Sequence, residues 1–171
     1  MTKICDNKSV GILFWKEGKL LMIERKKYNP GFAIPAGHQD GDEPERTATK
    51  EGEEEVKLII KKLEKRLVEI LPNPCKREGG THHEWTIFEA AEWNGEVKPS
   101  PDETKSYLWT DRATINIFTR RLEEFAKTIG VPLEKDHLPE LARATNENQV
   151  WKENPGLEPP MYFLLKNLGV I

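Results

Sequence analysis

Four glutamates fall within five residues of this chain, at Glu51, Glu53, Glu54 and Glu55. If the segment is helical, Glu51, Glu54 and Glu55 share one face, because residues three and four apart are neighbours on a helix. Like charges at that spacing repel each other and destabilise an isolated helix. A divalent cation would offset the repulsion, and Mg²⁺ suits a site of few carboxylates because it keeps its other positions for water and phosphate. The segment therefore predicts either a cation site or a solvated acidic face.

A calcium-binding EF-hand loop is a second interpretation of the acidic segment. Asp40, Asp42 and Glu51 fall at positions 1, 3 and 12 of such a loop. Position 5 would then be Pro44, and position 6, which must be glycine, would be Glu45. The EF-hand interpretation therefore fails.

The helix that carries the glutamates is expected to begin near Pro44 and to end at Val56 or Leu58. Proline suits the first turn of a helix, where no N–H is needed. Ala48, Gly52 and Val56 follow one another at every fourth residue and form a narrow stripe of small and apolar side chains. Such a stripe lets the helix lie very close to a sheet, which accounts for a mid-helix glycine that costs about 1 kcal/mol relative to alanine.

Short apolar runs bounded by turn residues predict the strands around this helix. A hairpin is expected from VGILFW and LLMIER, joined by the turn EGK, and AGHQDGDEP is expected to be a loop. The run LIIKKLEKRLVEILPNP fits a continued helix or strands, and we favour strands after Leu58. Further strands are predicted at FAIP, EWTIFEAAEW and SYLWT, with NGE as a turn.

The pattern changes to helical after residue 111. Apolar residues recur at spacings of three and four and predict an amphipathic helix that ends at Gly130. LPELARA and EPPMYFLLKNLGVI predict two further helices. We therefore expect an α/β domain with a catalytic core at 1–115 and a helical extension at 116–171, packed on the same domain. The apolar residues of the first helix are Ile115, Phe118, Leu122, Phe125 and Ile129.

Length and composition restrict the class of protein. A chain of 171 residues fits one domain, and a net charge of −3 without a basic stripe makes nucleic-acid binding an unfavoured function. The sequence lacks a signal-peptide pattern and an apolar stretch long enough to cross a membrane. Cys5 and Cys75 fit neither a disulfide scaffold nor a CxxC metal motif. We expect two reduced thiols and a cytoplasmic location.

The segment from residue 37 to residue 58 resembles the Nudix box, G-x5-E-x7-R-E-U-x-E-E-x-G-U, in which U is an apolar residue. GHQDGDE supplies the glycine, five residues and a glutamate, and KEGEEEVKL covers the second half of the box. The matched positions are Gly37, Glu43, Lys50 on the arginine, Glu51, Glu54, Glu55 and Leu58.

Four positions depart from the box. Six residues rather than seven separate Glu43 from Lys50, so Asp42 could equally be the upstream acid. Lys50 keeps the positive charge of the arginine but lacks its bidentate fork. Gly52 stands at an apolar position, and Lys57 replaces the glycine at the end of the helix. The three glutamates expected to bind metal are intact.

The resemblance implies an α/β/α sandwich with a mixed sheet and hydrolysis of a nucleoside diphosphate linked to another group, with Mg²⁺ or Mn²⁺ as cofactor. It implies that Lys50 holds a carboxylate in position. The general base would be Glu51, Glu55 or an acid of a later loop, where Glu103 is the first candidate and Asp102 the second. The implied metal ligands are Glu51, Glu54, Glu55 and a backbone carbonyl of Ala36 or Gly37.

Several residues outside the box are candidates for substrate contacts. Arg25, just before the box loop, and His38, within it, could meet phosphate. Trp85, on a predicted strand, could stack on a base, although aromatic strand residues more often belong to the core. His82 and His83 adjoin a Gly-Gly loop and could touch phosphate or form a surface pair with no role.

The resemblance is compatible with more than one substrate class. The default is a MutT-like nucleoside triphosphate pyrophosphohydrolase, and ADP-ribose or another nucleoside diphosphate derivative is the alternative substrate. A catalytically inactive nucleotide-sensing or interaction domain is the alternative from another class. The C-terminal helices would serve as a homodimer interface, a lid or a surface for a partner.

Overall fold

The computed structural model describes residues 3–171 as eight strands and five α-helices. A short 3₁₀ turn, Lys135–His137, precedes the third helix. The strands are β1 (Lys8–Leu13), β2 (Trp15–Lys16), β3 (Lys19–Arg25), β4 (Gly31–Ala33), β5 (Ala36–His38), β6 (Ile59–Leu71), β7 (His83–Asn94) and β8 (Thr104–Thr110). The helices are α1 (Pro44–Val56), α2 (Arg112–Ile129), α3 (Leu138–Glu147), α4 (Gln149–Glu153) and α5 (Pro159–Asn167).

The strands form two sheets. The first has the order β5-β1-β7-β6 and is mixed, because β1 and β7 run parallel while the other pairs are antiparallel. The second is antiparallel and is built on β3, which pairs with β2, β4 and β8. The predicted α/β fold with a mixed sheet and C-terminal helices is confirmed.

Alternation along β3 separates two apolar layers, as successive side chains of a strand point to opposite faces. Leu21 and Ile23 face the layer beneath α1, together with Ala48 and Val56 of that helix. Leu20 and Met22 face the other layer. The second layer is completed by residues of the C-terminal helices: Ile115, Phe118, Leu122, Leu138, Trp151, Met161, Leu164 and Leu165.

The C-terminal helices are therefore packed on the sheets. Backbone hydrogen bonds join Phe32 of β4 to the chain before α5, from Phe32 N to Gly156 O and from Glu158 N to Phe32 O, each at 2.9 Å. The division at residue 115 falls in the first turn of α2 and stays a prediction.

Two local expectations need correction. The hairpin from VGILFW to LLMIER forms but is short, through Trp15–Lys16 and the start of β3 and a hydrogen bond from Leu21 N to Phe14 O at 3.0 Å, because β1 lies between β5 and β7 in the other sheet. There β1 is buried along almost its whole length, as expected of an inner strand. The box loop also begins with a strand, since Ala36–His38 pairs with β1 as β5.

The helix predictions and the strand prediction after Leu58 are confirmed, whereas the turn expected at NGE is only a bend at Gly95 and β4 covers only the first half of FAIP. The box helix starts at Pro44 and ends at Val56. A single long strand, β6, follows it, and the amphipathic helix α2 ends at Gly130, which has a φ of +72°. Within residues 3–171, every helix is too short or too polar to cross a membrane.

The end of α1 gives a prediction about stability. Lys57 caps this helix with a left-handed backbone, φ 62° and ψ 27°, and its N–H bonds to Glu53 O at 3.1 Å. That conformation is strained for a side-chain-bearing residue and free of strain for glycine, which accounts for the glycine of the box pattern. We expect Lys57→Gly to stabilise the fold by about 1 kcal/mol, raising Tm by about 2–4 °C.

Thermal unfolding of the wild type, Lys57→Gly and Lys57→Ala measures this effect. The alanine variant removes the same charge but keeps the strained backbone, so its Tm should not rise. Equal Tm values for the two variants would show that charge, not backbone strain, decides the stability at this position.

Candidate active site

The small-residue stripe of α1 brings the helix close to the sheets. Ala48, Gly52 and Val56 are buried, and a Cβ atom at Gly52 would lie 3.0 Å from the Ile60 side chain and 3.3 Å from the Phe14 ring. A larger residue at Gly52 would push the helix outward. The close approach places the neighbouring acidic face of α1 against β5.

Glu55 is the most deeply placed acid of that face. Its side chain is 5% exposed and accepts a hydrogen bond from the backbone N–H of Ala36 in β5 at 2.9 Å. Burial raises the pKa of Glu55 to about 8, against the opposing effects of the Arg25 charge and the Ala36 N–H. A carboxyl group whose pKa is raised in this way ionises readily at neutral pH only when a cation binds next to it.

Glu51 lies one turn earlier and is half-buried. Its carboxyl group lies so close to Gly37 that any Cβ at that position would overlap it. The box glycine is therefore required by direct packing on the box glutamate. Burial raises the pKa of Glu51 to about 7, and the charges of Glu54 and Glu103 act in the same direction.

Glu54 and Lys50 lie on the exposed side of the same face. The effect of Glu54 on the Glu51 pKa shows that the two carboxylates are close, while the Lys50 charge lowers that pKa. The Lys50 charge thus opposes, but does not cancel, the upward shift of the Glu51 pKa. Glu43, the upstream box acid, is exposed and forms the N-cap of α1.

Glu103 joins the site through the loop between β7 and β8. That loop follows the C-terminal end of α1, where Ser100 N–H donates to Glu55 O at 2.8 Å and Lys98 N–H donates to Val56 O at 2.9 Å. The bonds satisfy carbonyls that every helix end leaves free. These two hydrogen bonds hold the loop after Asn94 against α1. The loop thereby brings Glu103 close to Glu51 and Glu55.

A cleft of about 190 Å³ brings together Glu51, Glu55 and Glu103, whereas Glu54 and Lys50 do not line it. One part of its lining is acidic, from Glu51, Glu55 and Glu103. The rest includes the β5 backbone and four basic residues, which are Arg25, Lys27, Lys76 and Arg77. The cleft therefore combines hard oxygen ligands with side chains that attract phosphate.

The three residues predicted to contact substrate are buried to different depths in the fold. Arg25 lines the cleft and pairs with Glu158 at 3.3 Å. His38 also lines it, and burial, aided by the Arg77 charge, lowers the pKa of His38 to about 4, so the ring is neutral at pH 7. Trp85 is 4% exposed, and its Nε1 donates to Asn73 Oδ1 at 3.0 Å. Trp85 lines an inner cavity together with Arg25 and His38. A substrate would contact the Trp85 ring from that cavity.

Sequence reasoning missed part of this site. Lys76 and Arg77 lie in the loop after β6, about twenty residues from the box, and only the folding of β6 returns them to the cleft. His82 and His83 are predicted above to touch phosphate or to form a surface pair, and the surface pair is wrong for His83, which is 2% exposed. The order of polar and apolar residues in the β7 strand, which starts at His83, is the signal that could have indicated its burial.

The carboxylates of the cleft fit a divalent cation on the chemistry of their donors. Glu51, Glu54 and Glu55 offer oxygen ligands, and the raised pKa values of Glu51 and Glu55 show that the protein alone does not neutralise them. Gly37 packs against the Glu51 carboxyl group. These residues are those predicted from the sequence as metal ligands, and that role stays a prediction.

Comparison with known proteins supports the assignment of the fold. The NUDIX domain family model matches residues 7–129. A MutT NUDIX hydrolase from Burkholderia pseudomallei is similar, with 23% identity, a TM-score of 0.55 and coverage of 63% of this chain and 84% of that chain. A dihydroneopterin triphosphate pyrophosphohydrolase from E. coli is similar at 17% identity and a TM-score of 0.52, covering 65% of this chain and 85% of that chain. No curated protein matches the chain.

The buried acids give a prediction about pH. Their pKa values, about 7 for Glu51 and about 8 for Glu55, lie above the ordinary glutamate value. The folded metal-free protein therefore holds protons that the unfolded chain has lost, and this contribution to stability disappears as pH rises through 7 and 8. A cation competes with those protons, so we expect the apparent Mg²⁺ affinity to be at least about tenfold tighter at pH 9 than at pH 6.

The measurement is Tm at pH 6 to 9, in chelator and across a Mg²⁺ titration. The Mg²⁺-induced rise in Tm should grow with pH in the wild type and in Glu53→Gln, whose side chain is exposed on the same helix. It should be small at every pH in Glu55→Gln. A wild-type rise that is equal at pH 6 and pH 9 would contradict the role given to the buried acids.

Proposed function

This chain belongs to the Nudix family, and from that premise we propose that it is a pyrophosphohydrolase that hydrolyses a nucleoside diphosphate linked to another group, using Mg²⁺. The observation that carries the proposal is the cleft in which Glu51, Glu55 and Glu103 share a lining with four basic residues. A diphosphate would use both the acidic and the basic parts of that lining. The acids would hold the metal, and the metal and the basic side chains would together bind the negative charge of the diphosphate. Mn²⁺ is an alternative for the same oxygen ligands.

Each residue of the cleft has a proposed role. Glu51, Glu54 and Glu55 hold the cation, with the Gly37 carbonyl as a further ligand. A cation held there would neutralise phosphoryl oxygens and activate a water. Lys50 is proposed to hold a carboxylate in position, and its charge lowers the pKa of Glu51.

Substrate phosphates meet the basic part of the lining. Arg25 is fixed by Glu158, whose side chain is 4% exposed, so its guanidinium is held in a defined position before the substrate arrives. A preorganised group of this kind loses little freedom on binding. His38 and Trp85 extend the contact surface into the inner cavity.

Glu103 is the proposed general base. It lines the cleft from the exposed end of its loop, whereas Glu51 and Glu55 are occupied with the cation. A general base must be able to reach the attacking water, and an acid outside the ligand set is free to do so.

The substrate that we propose first is a nucleoside triphosphate. ADP-ribose or another nucleoside diphosphate derivative is the alternative, and a nucleotide-sensing role without turnover is the outcome from another class. A cytoplasmic location, where such nucleotides are abundant, and a homodimer stay predictions alongside the substrate.

Phosphate and pyrophosphate release from a nucleotide panel tests the proposed reaction. The panel contains canonical and oxidised triphosphates, ADP-ribose, sugar nucleotides and dinucleoside polyphosphates, each with Mg²⁺ and with chelator. We expect metal-dependent turnover of one class, reduced at least about 100-fold in Glu54→Gln and little changed in Glu53→Gln. Ligand binding without turnover of any panel member would instead favour the sensing role.

The proposed base gives a separate prediction. Glu103→Gln should lower kcat about 10²- to 10⁴-fold, because the base no longer accepts the proton of the water. Mg²⁺ affinity, measured by the rise in Tm, should stay close to that of the wild type. Asp102→Asn is the matched control, since Asp102 is the neighbouring acid and does not line the cleft. A loss of kcat in Asp102→Asn with normal turnover in Glu103→Gln would reverse the assignment.

A further inference from the structure

Four soft metal-ligating side chains meet beside the cleft, outside the carboxylate set of α1. They come from four segments: Cys5 precedes β1, His38 ends β5, Cys75 follows β6 and His83 begins β7. One ligand atom from each residue lies within 4.8 Å of the others. We propose that these two cysteines and two histidines bind a structural Zn²⁺ ion.

The distances are close to those of a zinc site. Cys5 Sγ lies 3.3 Å from His83 Nε2. With Zn–S bonds of about 2.3 Å and Zn–N bonds of about 2.0 Å, a tetrahedral ion holds sulfur and nitrogen about 3.5 Å apart and two sulfurs about 3.8 Å apart. The side chains therefore need only small rotations to close around an ion.

The surroundings of His83 are those of a metal ligand. Its Nδ1 lies 2.7 Å from the backbone carbonyl of Asn73, which accepts a hydrogen bond and thereby fixes the proton on Nδ1. The lone pair of Nε2 is then directed at the cluster. Metal-binding histidines almost always donate their second ring N–H in this way.

His38 supplies an independent observation. Its Nε2 is buried and finds no hydrogen-bond partner within the described part of the chain, although most buried polar atoms have one. The His38 ring lies 5.3 Å from the His83 ring in an edge-to-face arrangement. An ion at the cluster would give the unpartnered nitrogen its missing interaction.

Local contacts position both sulfur atoms at the cluster. The backbone N–H of Asn7 donates to Cys5 Sγ at 3.3 Å. A Cβ atom at Gly80 would overlap Cys75 Sγ, so a glycine is required for Cys75 to enter the cluster. When the ion binds, two thiol protons pass to solvent, and two thiolates balance the charge of Zn²⁺.

A Cys5–Cys75 disulfide is the competing use of the two thiols. It would account for their proximity, but it would leave His38 Nε2 without a partner and His83 Nε2 without a ligand role. The zinc site uses all four side chains, and it ties the segment before β1 and the loop after β6 to the end of β5. His38 would then serve as a ligand and would not contact substrate phosphate.

The test uses the full-length, tag-free protein, purified without chelator from zinc-supplemented cells. We expect about one equivalent of zinc by elemental mass spectrometry. After exchange for Co²⁺, strong d–d bands of tetrahedral cobalt and thiolate-to-cobalt charge-transfer absorption should appear. The charge-transfer absorption distinguishes this site from the carboxylates of α1, which have no sulfur ligand.

Variants then assign the ligands. Cys5→Ser and His83→Asn should lose the zinc and the charge-transfer absorption, whereas His82→Asn, at the exposed neighbouring histidine, should keep both. If the ligand variants do not fold, the cobalt spectrum of the wild type decides alone. Zinc below about a tenth of an equivalent together with no charge-transfer absorption, or an intact mass two hydrogens lower that shows a disulfide, would overturn the proposal.

Discussion

The burial of one carboxylate, Glu55, against the edge strand β5 is the constraint on which the cleft depends. A helix that stood further from the sheets would leave this acid in water, where it would neither meet the Ala36 N–H nor acquire a raised pKa. The stripe of Ala48, Gly52 and Val56 makes the close approach possible. Burying the Glu55 charge costs free energy unless that charge is compensated. The packing of α1 therefore favours a cation next to Glu55 whenever this carboxyl group is ionised.

The carbonyl end of the same helix organises the opposite lining. Its last carbonyls accept hydrogen bonds from Lys98 and Ser100, and the loop that provides those N–H groups continues to Glu103. One helix therefore carries the proposed ligands on its side chains and positions the proposed base through its backbone. On the far side, the C-terminal segment supplies Glu158, which fixes Arg25. Glu158 lies beyond the residues matched by the family model, 7–129, so the extension contributes to the cleft through Arg25.

What could be predicted from the sequence was local. The spacing of Glu51, Glu54 and Glu55, the start of α1 at Pro44 and the period of α2 depend on residues within a few turns of each other, and the box pattern fixed the loop before the helix. The sheet to which β1 belongs could not be predicted, because it depends on strands some seventy residues away. For the same reason the basic residues Lys76 and Arg77 and the meeting of Cys5 with His83 have no signal in local spacing.

The adjacency of Gly37 and His38 shows how two different ligand chemistries can occupy one short strand. Gly37 packs on a carboxylate, a hard donor that prefers Mg²⁺, while the next residue has a buried nitrogen without a hydrogen-bond partner among residues 3–171 and belongs to the proposed zinc cluster. Both residues line the cleft and the inner cavity, so β5 borders both groups. A soft cluster on the inner side would hold β5 in place, and the position of β5 decides how closely Gly37 and Ala36 meet the two acids of α1. The proposed zinc site would thereby support the geometry of the proposed Mg²⁺ site.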